Sequence, residues 1–208
     1  MSKKFDKIIK SSVDQDILLF LKFAYFGNTS NPLEAASRSA YHDMMRTIRF
    51  YDLPQSDRWD MREKVNKVLK EEIDWLDSSH IRSQSVFDSW HRKLSDEIKM
   101  IYQNYGIEFS YGQAQKWINM TIKYLYILEV QSFDGVFEYL HIPIDNYIFD
   151  SVENLLGIPR PKQAWSRLDD YDWYLCYQEA IREKLSGISP LRWEFREWLN
   201  AVQKKVID

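Results

Sequence analysis

The chain has few of the residues that punctuate or staple a fold. A single cysteine, Cys176, stands among 208 residues, which excludes an intrachain disulfide and suits a reducing, cytoplasmic setting. Its neighbours Leu175 and Tyr177 continue a helical pattern, so it reads as a buried, inert thiol. Six glycines and six prolines leave too little turn chemistry for an all-β fold. The longest apolar stretch, Ile17 to Phe26, is broken by Lys22 and is too short for a bilayer, so neither a membrane span nor a signal peptide is expected. Metal-binding spacings are missing as well: His42, His80, His91 and His141 are scattered, without an H-E-x-x-H or Cys/His pairing. With no Gly-rich phosphate loop and no G-x-S-x-G elbow, the expectation is no metal and no cofactor. The net charge of −3 provides no global basic field, which argues against a non-specific DNA coat but not against a local basic strip.

What is present is helical periodicity. Hydrophobic residues at 45% with 28% charged place the chain among globular proteins. Eight tryptophans and thirteen tyrosines serve either aromatic packing or a stacking pocket. Residues 1–12, with Lys3, Lys4, Lys7 and Lys10, read as a solvated, partly frayed lead-in. Asp14 or Asp16 caps a first helix over Ile17–Phe26. Asn31-Pro32 opens a second that runs through Ile48 and Tyr51 to Pro54, and Ser56 or Asp57 opens a third. A fourth starts near Ser85, a fifth at Ser110, and Gln131 to Leu140 is a short aromatic piece. Asp145 caps a helix ending at Gly157, Ser166 with Asp169 opens another, and Ser189-Pro190 starts the last. The fold class is therefore all-α: about nine helices in a single domain over 1–208, with two lobes around a cleft near 110–150 as the form that would hold a site.

The most strongly patterned stretch is FSYGQAQKWINMTIKYLYIL, residues 109–128. Ser110 and Gln113 have capping-box spacing. Ala114, Trp117, Ile118, Ile122, Leu125 and Leu128 fall along one face, and Met120, Tyr126 and Ile127 make the opposite face greasy too. Lys116 and Lys123 on such a helix either snorkel to water or work. A lysine near a helix N-terminus, desolvated and beside a carboxylate, is a candidate amine nucleophile. Asp145, ahead of the next helix, is the candidate carboxylate. The plain alternative is a solvated lysine and an aspartate that only caps. Arg38 with His42, one helical turn apart, supports a helical ribonuclease reading that ranks last.

The order K-x6-K on a buried helix, then about thirty residues, then I-P-I-D opening another helix, resembles the helix-hairpin-helix (HhH-GPD) DNA glycosylase superfamily, nearest to its archaeal 8-oxoguanine branch. The residues that carry it are Lys116, Lys123, Ile142, Pro143 and Asp145, within about a fifth of the chain. The resemblance implies DNA repair by a glycosylase and lyase acting on duplex DNA with a flipped-out damaged base. Lys116 would attack the sugar C1′ and Asp145 would move protons and stabilise the cationic sugar. Gln115 could read a base edge, and Trp165 or Trp193, with Trp198, could stack on it. Most members of that superfamily grip a DNA phosphate with an L-P-G-x-G hairpin; this chain has Tyr111-Gly112-Gln113-Ala114 at that place, and no four-cysteine cluster loop. The competing reading is a non-catalytic helical protein with a protein partner, in which Lys116 and Asp145 are a structural pair.

Overall fold

A computed structural model describes residues 14–76 and 80–207, with side chains through residue 200. Its elements follow from caps and apolar stripes. Helix α1 (Gln15–Phe26) starts where the Asp14 carboxylate accepts from the Asp16 and Ile17 amides, and α2 (Pro32–Met44) starts behind an Asn31 cap with proline at its first position. Then follow α3 (Gln55–Trp75), α4 (Gln84–Gln103), α5 (Tyr111–Ile127), α6 (Asn146–Leu156), α7 (Tyr171–Leu185) and α8 (Pro190–Ile207). The described residues thus contain eight α-helices and no strand, which supports the all-α class. The lead-in read over residues 1–12 lies outside the described residues.

Four differences from the sequence reading have local causes. The second helix stops at Met44 and passes into a single 3-10 turn, Met45–Thr47. Ile48 and Tyr51 therefore leave the helix, with Tyr51 at φ 48°. The aromatic piece 131–140 gives no ninth helix, because Phe133 and Gly135 turn left-handed and leave only the 3-10 turn Phe137–Tyr139. A third 3-10 turn, Trp165–Arg167, precedes α7, whose cap is Asp170 rather than Ser166. Cys176 is exposed, not buried: Tyr174, Tyr177, Gln178 and Ile181 fill the inward face of α7, and a residue two positions past Tyr174 points 200° away from it.

Helix α5 is the axis of the packing. Every residue from Gly112 to Leu125 is buried, as expected for a helix greasy on both sides. The small residues Ala35, Ala36 and Ala40 of α2 are fully buried and allow α2 to lie close along α5. The Trp117 indole N–H donates to Ser37 Oγ at 2.9 Å, tying the two helices. On the other sides α4 and the Trp165–Arg167 turn close over α5, while α6 packs on α8. The capping box of Ser110 and Gln113 is present in full. Gly112 has a steric role, since a Cβ there would stand 1.8 Å from the Trp165 carbonyl oxygen. Its amide also donates to the Leu168 carbonyl at 2.8 Å.

Gly112→Ala must therefore push the Trp165 turn away from α5. Overpacking of this kind costs about 1–3 kcal/mol or more. Urea unfolding of this variant should show that loss, and unchanged stability would mean the close approach is not needed.

Candidate active site

Lys116 sits in the second turn of α5, and its Nζ donates to Asp145 Oδ2 at 2.7 Å. The other oxygen of Asp145 accepts from the Ile148 amide at 3.0 Å, capping α6. One carboxylate thus both caps a helix and holds the lysine, so the two sequence readings of Asp145 describe a single arrangement. Seven residues further along α5, on the same face, Lys123 donates to Glu194 Oε1 at 2.8 Å. Phe195 and Trp198 of α8 lie 5.1 and 5.6 Å from the Lys123 ammonium, in cation–π range.

Both pairs face one cavity of about 720 Å³ between α1, α2, α5, α6 and α8, whose walls include Trp165, Trp198, Tyr147 and Arg46. That is the size of a small-molecule site. The two lysines do not snorkel: Lys116 is 5% and Lys123 8% exposed. Glu194 is 1% exposed, and its Oε2 has no hydrogen-bond partner. Burial raises the Glu194 carboxyl above its ordinary range, with Lys123 opposing. An acceptor buried without a partner costs stability.

Of the sequence candidates, the structure brings together Lys116, Asp145 and Trp165, and also Trp198. Gln115 is not on the cavity wall: its Nε2 donates to the carbonyls of Ile144 (2.8 Å) and Gly112 (2.9 Å), and its Oε1 accepts from the Ile144 amide (3.0 Å). Trp193 is buried away from the cavity. Glu194 went unread, although it falls on the Leu191–Phe195–Trp198 stripe of α8, where a carboxylate signals a buried partner. Arg38 donates to the Phe26 carbonyl at 2.7 Å, closing the end of α1 rather than pairing with His42.

The first amides of α5 are all engaged: Tyr111 N–H with Asp169, Gly112 with Leu168 and Gln113 with Ser110 Oγ. The phosphate-gripping amides of the glycosylase hairpin thus have no counterpart at that turn. Two of the histidines that look scattered in sequence meet in the core, with His91 and His141 ring centroids 4.9 Å apart. They bond to Tyr171, Asn119, Tyr174 and Asp88. Among the described residues no group of three His, Cys, Asp or Glu side chains could hold a metal ion, and no helix is long and apolar enough to cross a membrane. Compared with family models, curated proteins and solved structures, the chain finds no match.

Lys123→Met leaves Glu194 buried without its cation, which costs about 3–5 kcal/mol for a buried pair. The double variant Lys123→Met/Glu194→Met should recover more than half of that loss in urea unfolding, and additive losses would rule out coupling. Acid provides a second test. Burial lowers the pKa of both His91 and His141, with Asp88 opposing at His141. The unfolded chain then takes up protons near pH 6.5 that the folded chain refuses. Stability from these two groups is complete above that pH. It falls below it by up to about 1.4 kcal/mol per pH unit for each histidine. Glu194, raised, opposes this at lower pH. Unfolding measured at pH 7.5, 6.5 and 5.5 should show the decline, and a flat profile would contradict neutral buried imidazoles.

Proposed function

We propose that the protein is a lysine-dependent DNA glycosylase and lyase acting on a flipped-out damaged or modified base such as 8-oxoguanine. The observation that carries this reading is the Lys116–Asp145 pair at 2.7 Å on the wall of a ligand-sized cavity. A base taken out of its duplex needs a pocket with a flat wall and edge contacts. Trp165 and Trp198 supply ring surface, and Lys123 and Glu194 on the same wall supply polar groups for a base edge. Seven residues of helix put Lys123 and Glu194 about 10 Å along α5 from Lys116. That separation suits a base edge at one end and its sugar C1′ at the other.

The chemistry balances with these residues alone. Lys116 passes a proton to Asp145, and the neutral amine forms a bond to C1′ as the C1′–base bond breaks, its electron pair leaving with the base. The departing base takes the proton held by Asp145. Asp145 then carries a second proton from the Lys116 nitrogen to the sugar ring oxygen as that C1′–O bond opens, leaving a protonated Schiff base. Asp145, ionised again, takes a proton from C2′, and the C–H electron pair forms the C2′–C3′ double bond as the 3′ phosphate leaves and the strand is nicked. Asp145 is placed for each transfer because one of its oxygens already touches the amine.

A second reading, a non-catalytic binding protein, draws on α1. That helix turns Lys22 inward to Glu129 (2.5 Å) while Ile17, Leu19, Phe20, Phe23 and Tyr25 are exposed, a patch of the kind that protein partners cover. Borohydride trapping on duplexes carrying 8-oxoguanine or an abasic site separates the two. The glycosylase reading expects a covalent adduct that Lys116→Gln abolishes and Asp145→Asn slows about 10²- to 10⁴-fold. Absence of an adduct on either duplex leaves the binding reading.

A further inference from the structure

The Ile142–Asp145 segment that delivers the carboxylate is extended, and the described residues contain no strand to pair with it. Its buried backbone groups still need partners. Side-chain amides take that place. Gln115 bonds both the N–H and the C=O of Ile144, as a neighbouring strand would. Gln178 does the same for Ile142, with its Oε1 3.3 Å from the amide and its Nε2 2.8 Å from the carbonyl. Asn119 adds a third contact, to the Ile142 carbonyl at 3.3 Å and to Gln115 Oε1 at 3.2 Å.

These amides are themselves locked. Tyr174 Oη receives Asn119 Nδ2 at 3.0 Å and Gln178 Nε2 at 3.2 Å, and is hydrogen-bonded to His141 Nδ1 at 2.9 Å. His141 Nε2 lies 2.8 Å from Asp88 Oδ1. The chain from Asp88 through His141, Tyr174 and the three amides therefore ends on the two peptides just before Asp145. Gln115, Asn119 and Gln178 are each 2% exposed or less, so water does not compete for these bonds.

We propose that Gln115 and Gln178 are the positioning residues of the Lys116–Asp145 pair, acting as strand surrogates that fix the segment carrying Asp145. Gln115 stands directly before Lys116 on α5, so one helix sets both the lysine and the peptide that aims its carboxylate. For its effect on catalysis the inference rests on the glycosylase reading. The clamp itself can be measured without it.

The test uses the full chain with Gln115→Met and Gln178→Met, which keep volume while removing both amide functions. Thr121→Val serves as the control, because it deletes a buried hydrogen bond of α5 to Trp117 (2.7 Å) away from the segment. Amide hydrogen exchange should quicken at least tenfold at Ile144 in Gln115→Met, at Ile142 in Gln178→Met, and at Ile148, the amide held by Asp145, in both. In Thr121→Val these three amides should stay within about twofold of wild type. Single-turnover borohydride trapping on an abasic duplex should slow about 10- to 100-fold in both glutamine variants. The half-saturating DNA concentration should be unchanged, whereas simple unfolding would lower the trapped end point and leave the rate alone. Unaltered exchange at Ile148, or unaltered trapping rates with wild-type trapping intact, would overturn the proposal. If the wild type forms no adduct, the glycosylase reading fails and exchange at Ile148 alone decides for or against the clamp.

Discussion

The constraint on which the structure depends is the burial of two ammonium groups on one helix. An isolated lysine inside a protein is too costly to keep charged, and its attraction to a carboxylate offsets the desolvation only when the geometry is close. Lys116 and Lys123 each have such a partner, at 2.7 and 2.8 Å. Those partners come from different parts of the chain, Asp145 from the cap of α6 and Glu194 from the second turn of α8. Helix α5 can therefore be buried only if α6 and α8 both come to it with their carboxylates. The cavity is the space these elements leave around the two pairs.

The fold was largely legible because caps and stripes are local signals. Asp14, Asn31, Ser110 and Asp145 cap helices where their positions imply. The errors fall where local preference was overruled. Met45 to Tyr51 carries a helical pattern, yet the chain turns left-handed at Tyr51 and leaves the helix. The 131–140 segment fails because two left-handed residues, Phe133 and Gly135, sit within three positions of each other, and no periodicity count registers backbone sign. Of the site, Lys116 with Asp145 could be found because a lysine on a greasy helix is itself an anomaly. Glu194 carried the same anomaly on α8. Its meaning needs the knowledge that α8 folds back onto α5, and a distance of 71 residues in sequence hides that.

Gln115 is the instructive case among the candidates. A glutamine next to a candidate nucleophile invites a substrate role, and only the partners of the extended segment in three dimensions assign its donors and acceptor elsewhere. Similarly, Gly112 resembles a remnant of a phosphate-binding turn by position. Its close approach to the Trp165 carbonyl explains the missing side chain on steric grounds, and its amide is already bonded to Leu168. With the α5 N-terminus committed internally and a net charge of −3, any hold on a DNA backbone has to come from elsewhere. Arg46, exposed at the cavity, stands nearest to such a role.

The two ion pairs are alike in distance and different in what they leave open. Both oxygens of Asp145 are engaged, one with Lys116 and one with the Ile148 amide, so this carboxylate is held in orientation and suited to passing a proton along one direction. Glu194 uses one oxygen on Lys123 and leaves the other buried without a partner, an arrangement that costs stability. Buried polar groups in native proteins are nearly always satisfied. A purely structural role accounts for the Lys116–Asp145 pair as well as catalysis does. It does not account for two buried ion pairs lining a cavity of about 720 Å³ where a close-packed core would leave no such space, and that is what favours a site built to receive a ligand over a core built only to stand.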